Sequence, residues 1–415
     1  MNIYAQAQPL NTSKKRQERI NKQHLSLDAP LLISSLILIA LGLVMVGSAS
    51  TSIAERHTGE ALYYLWRQLT YLSVAFVCAF LIFAVPLKFW QRSGPTLMLI
   101  NVVMLLLVFI PGLGREVNGS MRWIHLGPVN LQLSELVKLF VIFYLAGYLV
   151  RHADAVQTSA GGFLRPLMLL VVLAMLLLLQ PDFGAVAVML MTAMIMMWLG
   201  GARLFQFLLL MLFFVAALSL LVFVSPYRME RLTGFMNPWA DPFDSGFQLT
   251  QALIAFGRGE WFGVGLGASV QKLFYLPEAH TDFLFAVIAE ELGLFGVLLV
   301  IALFIVIVLR SLKIARDAEH QNKLFNAYVA YGIGVWVGLQ AFINIGVNMG
   351  VLPTKGLTLP LMSYGGSSLL VMCAAISVLF RVEYETQKSR NGTTTATKQR
   401  RVHVKVNNSN SKVRL

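Results

Sequence analysis

Long apolar runs separated by short polar breaks dominate the chain. Runs of the roughly 17–25 residues that a helix needs to cross a bilayer fall near 31–50, 66–86, 95–111, 130–150, 163–180, 184–200, 204–225, 282–310, 324–350 and 357–381. The pattern predicts an all-α, polytopic membrane protein with about ten transmembrane helices. Three connections are too rich in polar and glycine residues to be plain turns: Gly114–Lys138, the large loop 226–281, and Asn348–Ser368. Inside the large loop, "GFQLTQALIAFGRGE" sets Leu249, Leu253 and Phe256 near one helical face, which predicts a helix lying at the membrane interface. The glycines of "GRGEWFGVGLG" permit tight turns or close approach to a ligand. With no strand before them and no G-x-x-x-x-G-K, they match no nucleotide-binding fingerprint.

Of the 415 residues, 57% are hydrophobic and 13% charged, a balance that excludes an ordinary water-soluble globule. Charge supplies the orientation, because Lys and Arg resist translocation. They gather in the amino-terminal arm (Lys14, Lys15, Arg16, Arg19, Lys22) and in every second connection after it (Lys88, Arg92, Arg151, Arg203, Arg310, Lys313, Arg316). Both termini are therefore expected in the cytoplasm, with 1–30 a basic arm, 31–382 the membrane domain and 383–415 a disordered cytoplasmic tail. The three rich connections then lie on the extracytoplasmic face, out of reach of ATP. The net charge of +13 has this topological explanation, together with attraction to anionic lipid, and gives no reason to expect nucleic acid as a partner. The first apolar run begins near residue 31, so no cleavable signal peptide is expected. Cys78 and Cys373 both lie in apolar runs and imply neither a disulfide nor a thiol site.

Polar groups within the runs need a reason, since an ionised side chain at the bilayer centre costs about 2.5–3.5 kcal/mol. Glu135 and Lys138 lie three apart on one helical face, a spacing that suits a structural ion pair or a shared ligand site. Gln340, Asn344 and Asn348 form an i, i+4, i+8 row, suited to interhelical hydrogen bonds as much as to a ligand. Asp182 follows Pro181 in a tight turn and reads as structural. The densest group is "LPEAHTDFLFAVIAEELG". There Thr281 is expected to cap a helix and Asp282 to occupy its first turn, which leaves Glu278 and His280 unexplained. Glu290 and Glu291 lie roughly 12 Å deeper at 1.5 Å per residue and are expected to pair with buried donors or to stay protonated. Glu278, His280 and Asp282 alternate as ligands on a strand would, but the pattern is weak and no metal site is assigned.

"RWIHLGP", "LSELVK", "QPDFG", "NPWADPFDSGFQLTQALIAFGRGEWFGVGLG", "YLPEAHTDFLFAVIAEELG" and "PTKGLTLPLMSYGGSS", in this order over about residues 30–385, resemble the SEDS family of cell-wall polymerases. The large loop and the basic amino-terminal arm resemble the division-type branch more than the elongation type, with an elongation-type or sporulation-type paralogue as the alternative. Leu133 departs from the proline common in the family's Q-P-S-E motif. The resemblance implies a peptidoglycan glycosyltransferase of the inner membrane, at the division septum, that polymerises lipid II, an undecaprenyl-pyrophosphate-linked disaccharide peptide, into glycan strands. It also implies a class B penicillin-binding protein and other divisome membrane proteins as partners.

Asp282 matches the family's essential aspartate and is expected to act as general base on the attacking sugar hydroxyl, worth roughly 10²–10⁴ in rate. A helix dipole would weaken it, an effect that desolvation or Glu278 has to offset. The leaving pyrophosphate needs positive charge rather than an acid, which singles out Arg122, Lys138, Lys272 and Lys355, with Arg228 and Arg231 as further candidates. Lys138 and Lys355 are expected nearest a lipid-linked phosphate, Glu135 would hold Lys138, Glu278 and His280 would surround Asp282, and Trp123 would stack on a sugar or anchor at the interface. A divalent cation, Mg or Mn, could share the work of the cations, although no ligand cluster identifies one. Two other readings compete: a lipid II flippase, which needs a polar path through the bilayer, and a noncatalytic divisome scaffold.

Overall fold

The computed structural model describes residues 27–411 except for 111, 118–119, 127–128, 204, 206–207, 210, 213–215, 217–218, 221–222, 224–228, 230–232, 245 and 354–355. Helices α1 (Ala29–Thr58), α2 (Tyr63–Ala84) and α3 (Leu87–Leu107) lead into a three-stranded antiparallel sheet of β1 (Gly114–Val117), β2 (Ser120–Leu126) and β3 (Val129–Gln132). The chain continues through α4 (Leu133–Arg151), the short α5 (Ala153–Thr158), α6 (Ala160–Leu179) and α7 (Phe183–Leu199). The expected span 204–225 lies largely outside the described residues, and α8 (Phe247–Gly259), α9 (Leu284–His320), α10 (Leu324–Asn348) and α11 (Gly366–Ser411) follow. Among the described residues, seven helices are long and apolar enough to cross a membrane, and α7 is a shorter apolar helix. The helical membrane architecture is the one the hydrophobic runs predict. The sheet was hidden from that pattern, because strands of four, seven and four residues are too short for a period of two to show.

The most enclosed helix is α4, buried along nearly its whole length and packed against α3, α7 and α10. It starts at Leu133, where the family's proline would stand at the first helical position, so the departure leaves the helix entry intact. By contrast, α2 turns Phe76, Val77, Phe80 and Leu81 outward, as a lipid-facing helix does. In α8 the expected amphipathic helix is present: Leu249 is buried, and Phe256 meets Phe285 of α9 with ring centroids 5.8 Å apart. The backbone of α11 stays helical to Ser411, into the stretch expected to be disordered, and no proline interrupts it.

Two elements depart from the expected spans. The last was placed at 357–381, but α11 begins at Gly366, and 356–365 is an irregular segment folded into the bundle. Leu357, Leu359, Leu361 and Met362 are buried there, and a Cβ on Gly42, midway along α1, would lie 2.6 Å from Met362 Cα. Irregular backbone at such a depth survives only if its polar groups find partners in the protein. Leu359 N–H donates to Ser363 Oγ (2.9 Å), Gln68 Nε2 to Ser363 O (3.2 Å), Gln340 Nε2 to Thr358 O (3.1 Å) and Asn344 Nδ2 to Leu357 O (2.6 Å).

The second departure is a break in α9 at Gly293 (φ 64°, ψ −162°). Val264 N–H donates to Glu290 O (2.9 Å) and Gly265 N–H to Glu291 O (3.1 Å), while Leu294 and Phe295 N–H donate to Glu260 O (2.9 Å) and Trp261 O (3.2 Å). Residues 260–265 of the glycine-rich segment therefore lie against opened helix backbone and complete its hydrogen bonds. A Cβ on Gly263 would sit 2.1 Å from Glu291 O. Glu290 and Glu291 find buried donors as expected. Glu290 accepts from Arg258 Nη1 (3.0 Å), Val270 N–H (3.1 Å) and Ser269 Oγ, and Glu291 accepts from Lys272 Nζ (2.9 Å) and Ser48 Oγ (2.7 Å). We expect Gly263→Ala to lower stability by about 1–3 kcal/mol, read as a fall in the thermal midpoint of purified protein, while Gly257→Ala, inside α8 with open space around it, raises the midpoint slightly through helix propensity. Equal midpoints for the two variants would contradict the insertion.

Candidate functional site

Asp282 stands just before α9, on a turn whose geometry starts at Glu278. That residue has a φ of 56°, its carbonyl accepts from Thr281 N–H (3.1 Å) and Phe283 N–H (3.2 Å), and its Oε2 accepts from the Thr281 hydroxyl (2.6 Å). The helix then begins at Leu284 with no side-chain cap. This corrects the expected helix start: Thr281 does not cap it, because its hydroxyl is committed to Glu278, and Asp282 lies ahead of the first turn rather than in it.

The turn is anchored from α10. Asn344 Nδ2 and Asn348 Nδ2 both donate to the main-chain carbonyl of Asp282, at 2.9 and 3.0 Å, and Asn348 Oδ1 accepts from Ala286 N–H (3.1 Å). Since Asn344 also holds Leu357 O, it ties the turn of Asp282 to the segment after Lys355. The result is close: a Cβ on Gly356 would lie 3.2 Å from Asp282 Oδ2. Lys355 itself lies outside the described residues, as do Arg228 and Arg231.

Electrostatics single out Asp282. Part of its surface reaches solvent, yet the carboxylate sits in a crowd of protein atoms, and burial pushes its pKa from 3.8 up to about 7. Glu278 and Asp182 push in the same direction, and Arg122 opposes them. Arg122 extends from β2, where Nε donates to Gln180 O (2.9 Å) and Nη2 to Pro181 O, so the "QPD" turn holds the guanidinium in place. Asp182 is structural as expected, accepting from Ala185 N–H (3.2 Å) to cap α7. It also adds to the field on Asp282, a contribution that its place in a tight turn did not signal.

The other candidates separate into different surroundings. Trp123, partly buried on β2, pairs with Arg115 of β1 and Gln132 of β3 beside the β-bulge that Arg122 makes, so strand alternation does not assign the two side chains to opposite faces. His280 is buried between the rings of Tyr64 and Tyr364, with centroids 5.0 and 5.5 Å away, and burial lowers its pKa. Its carbonyl accepts from Tyr364 N–H (3.0 Å), which ties the turn to the segment before α11. Lys138 is enclosed within the bundle: Nζ donates to Glu135 Oε1 (2.8 Å) and Gln340 Oε1 (2.7 Å) and lies 5.3 Å from the centroid of the Trp336 ring. It reaches the site through Gln340 and the loop that Gln340 holds, not as an ammonium open at the membrane surface. Lys272 is likewise occupied, by Glu291, Ser48 and Gly267 O (2.8 Å), at the α9 break. Among the described residues, no three His, Cys, Asp or Glu side chains come together as a metal-binding group, so Glu278, His280 and Asp282 do not converge as ligands.

A helical membrane bundle with a single poised carboxylate at one end, held by loops folded back into it, describes a recognised class. The chain belongs to the FtsW/RodA/SpoVE family of cell cycle proteins, matching it over residues 29–388. It is similar to the probable peptidoglycan glycosyltransferases FtsW of Nitrosococcus halophilus (59% identical, covering 87% of this chain and 93% of that one) and of Coxiella burnetii (54% identical, 87% and 97%). Its fold is similar to a chain of a peptidoglycan synthase complex that coordinates polymerization and crosslinking (29% identical, TM-score 0.73, 88% of this chain and 99% of that one). It is also similar to the rod shape determining protein RodA of Thermus thermophilus (27% identical, TM-score 0.62, 86% and 97%).

The raised pKa of Asp282 has a consequence for stability. Because the folded value lies above the unfolded one, ionisation is penalised in the folded state only: the cost is absent below pH 3.8, grows up to about pH 7 and is constant above it. The advantage of Asp282→Asn over the parent in thermal midpoint is therefore expected to widen as pH rises through that window. A constant difference would show a carboxylate as well solvated in the fold as in the unfolded chain.

Proposed function

We propose that this multi-pass membrane protein is a peptidoglycan glycosyltransferase of the division type that polymerises lipid II, with Asp282 as general base. Its carboxylate removes the proton from the 4-hydroxyl of the acceptor sugar. The oxygen then attacks the anomeric carbon of the donor, the bond from that carbon to the pyrophosphate oxygen breaks with inversion, and the lipid pyrophosphate leaves with the electron pair. The observation that carries this reading is the state of Asp282: its carbonyl is pinned by two amides, and its carboxylate is desolvated enough to hold a proton near neutral pH, where a base is most effective. Arg122, held on the "QPD" turn, is the described cation that acts on this carboxylate and is assigned to the developing pyrophosphate charge. Lys355 keeps its assignment from the sequence.

In this reading Asn344 is a positioning residue, and Glu135, Lys138 and Gln340 support the loop opposite Asp282. The site faces the extracytoplasmic side and works at the septum beside a class B penicillin-binding protein. The orientation rests on the basic connections, and the partnership on the likeness to the synthase complex.

Polymer formation from lipid II by the purified complex, with cross-linking blocked, tests the assignment. Polymerisation is expected to rise as pH increases through about 7 and to be lost in Asp282→Asn. Asn344→Ala is expected to lower kcat by about 10–100-fold with little change in KM, since misplacement of a reacting group acts on turnover. Normal polymerisation by Asp282→Asn would remove the general base, and lipid II translocation without polymer would favour a flippase.

A further inference from the structure

A second concentration of charge lies partway along α11, around Arg381–Ser389, roughly 22 Å from its start at 1.5 Å per residue. Arg381 Nε donates to Glu385 Oε1 (2.9 Å) and Nη1 to Phe83 O at the end of α2 (3.0 Å), with the guanidinium over the rings of Tyr384 (5.3 Å) and Phe83 (5.9 Å). Lys323, in the turn between α9 and α10, donates to Glu385 O (2.6 Å), and the exposed Lys388 lies one turn beyond. With Tyr384 and Ser389 these residues line a cavity of about 330 Å³. Glu385 is the single carboxylate in its wall, and it is already engaged by Arg381 and by Leu87 N–H (3.0 Å). Three cations against one carboxylate leave the cavity positive. The neighbouring cavity at the same end is different: there Arg310 is paired with Asp28, and Asp317 and Glu383 offset the remaining basic residues.

What distinguishes a lipid from a soluble anion is the surface below. Phe83 belongs to α2, and one turn earlier on that helix Phe80 and Leu81 are 73% and 59% exposed, on a face left to the acyl region. We propose that this cavity binds the phosphate of an anionic membrane phospholipid, with Lys323, Arg381 and Lys388 around the phosphate oxygens and the acyl chains lying along α2 at Phe80 and Leu81. The shape fits the chemistry: Arg381 is already oriented by Glu385 and two aromatic rings, so a phosphate meets a preset guanidinium. Burial lowers the pKa of Lys323, with Glu385 opposing that shift and Lys388 adding to it.

The test uses the full chain, purified and delipidated in detergent, with retained lipid read by native mass spectrometry and thermal midpoints read after adding phosphatidylglycerol, phosphatidylcholine or inorganic phosphate. Phosphatidylglycerol is expected to be retained and to raise the midpoint, and phosphatidylcholine is not. Lys323→Gln/Lys388→Gln is expected to weaken phosphatidylglycerol binding about tenfold and Lys388→Gln alone about threefold, with Lys313→Gln in the neighbouring cavity unchanged. Should the double variant fail to fold, the single change at exposed Lys388 decides. Equal binding of the two lipids, unaltered binding by Lys388→Gln, or a midpoint shift from inorganic phosphate as large as that from lipid would overturn the assignment.

Discussion

Two side-chain amides from one helix end on one main-chain carbonyl, that of Asp282. The constraint behind this contact is general: backbone that leaves a helix inside a membrane bundle must have its polar groups satisfied by protein, since lipid offers no partners. The polar row of α10 meets that demand for two loops at once, Asn344 and Asn348 for the turn of Asp282 and Gln340 with Asn344 for the buried segment at Leu357 and Thr358. Gln340 is in turn fixed by Lys138 and by Trp336 Nε1 (2.9 Å). The path from α4 to the turn of Asp282 runs by hydrogen bonds from Lys138 to Gln340 and on to Thr358 O, along the chain to Leu357, and through Asn344 to the Asp282 carbonyl, and its charged member, Lys138, is balanced by Glu135.

The same constraint explains the broken helix. At Gly293 the ladder of α9 opens, and the glycine-rich segment after α8 supplies the missing donors and acceptors. The paired carboxylates just before the break carry their own cations, Arg258 and Lys272, brought from the large loop, while Ser48 joins them from α1. Buried ion pairs of this kind contribute little net stability, because desolvation offsets attraction, yet losing one partner strands a charge and costs about 3–5 kcal/mol. Their value here is registration: the loop can seat on α9 in the one position where both carboxylates are met. Asp282 stands at the other end of that nine-residue helical segment, so the break and the site are mounted on one short rigid piece.

Much of this was legible in the linear pattern. The helices α1 to α4, α6, α7, α9 and α10 fall on the apolar runs with ends that differ by up to about ten residues, the amphipathic helix α8 is where its periodicity places it, and Glu290 and Glu291 have the donors their depth required. Other readings failed for identifiable reasons. Residues 357–365 are as apolar as a span, so hydropathy extended a helix through a segment that Pro360 and the left-handed Leu361 bend into a buried loop. Thr281 and Asp282 have the residue types of a helix start, but the hydroxyl found Glu278 first. Lys138 and Lys272 carry the charge a phosphate would want; the i, i+3 spacing already offered Glu135 to Lys138, whereas Lys272 meets a carboxylate of α9 that no local pattern pairs with it.

The chain alone therefore settles the membrane-embedded helical class, and its family resemblance directs attention to Asp282. Transfer into lipid is a property summed over neighbouring residues, and the motif around Asp282 is continuous. Folding in three dimensions decides which cations remain free, which polar residues are scaffolding and why Asp282 holds a proton near neutrality. Those outcomes depend on partners such as Asn344, Arg122 and Asp182, which lie 62 to 160 positions away in the chain and come together only when the helices pack. Hydrogen bonding and desolvation act over a few ångströms of space, and separation along the chain carries no record of that distance.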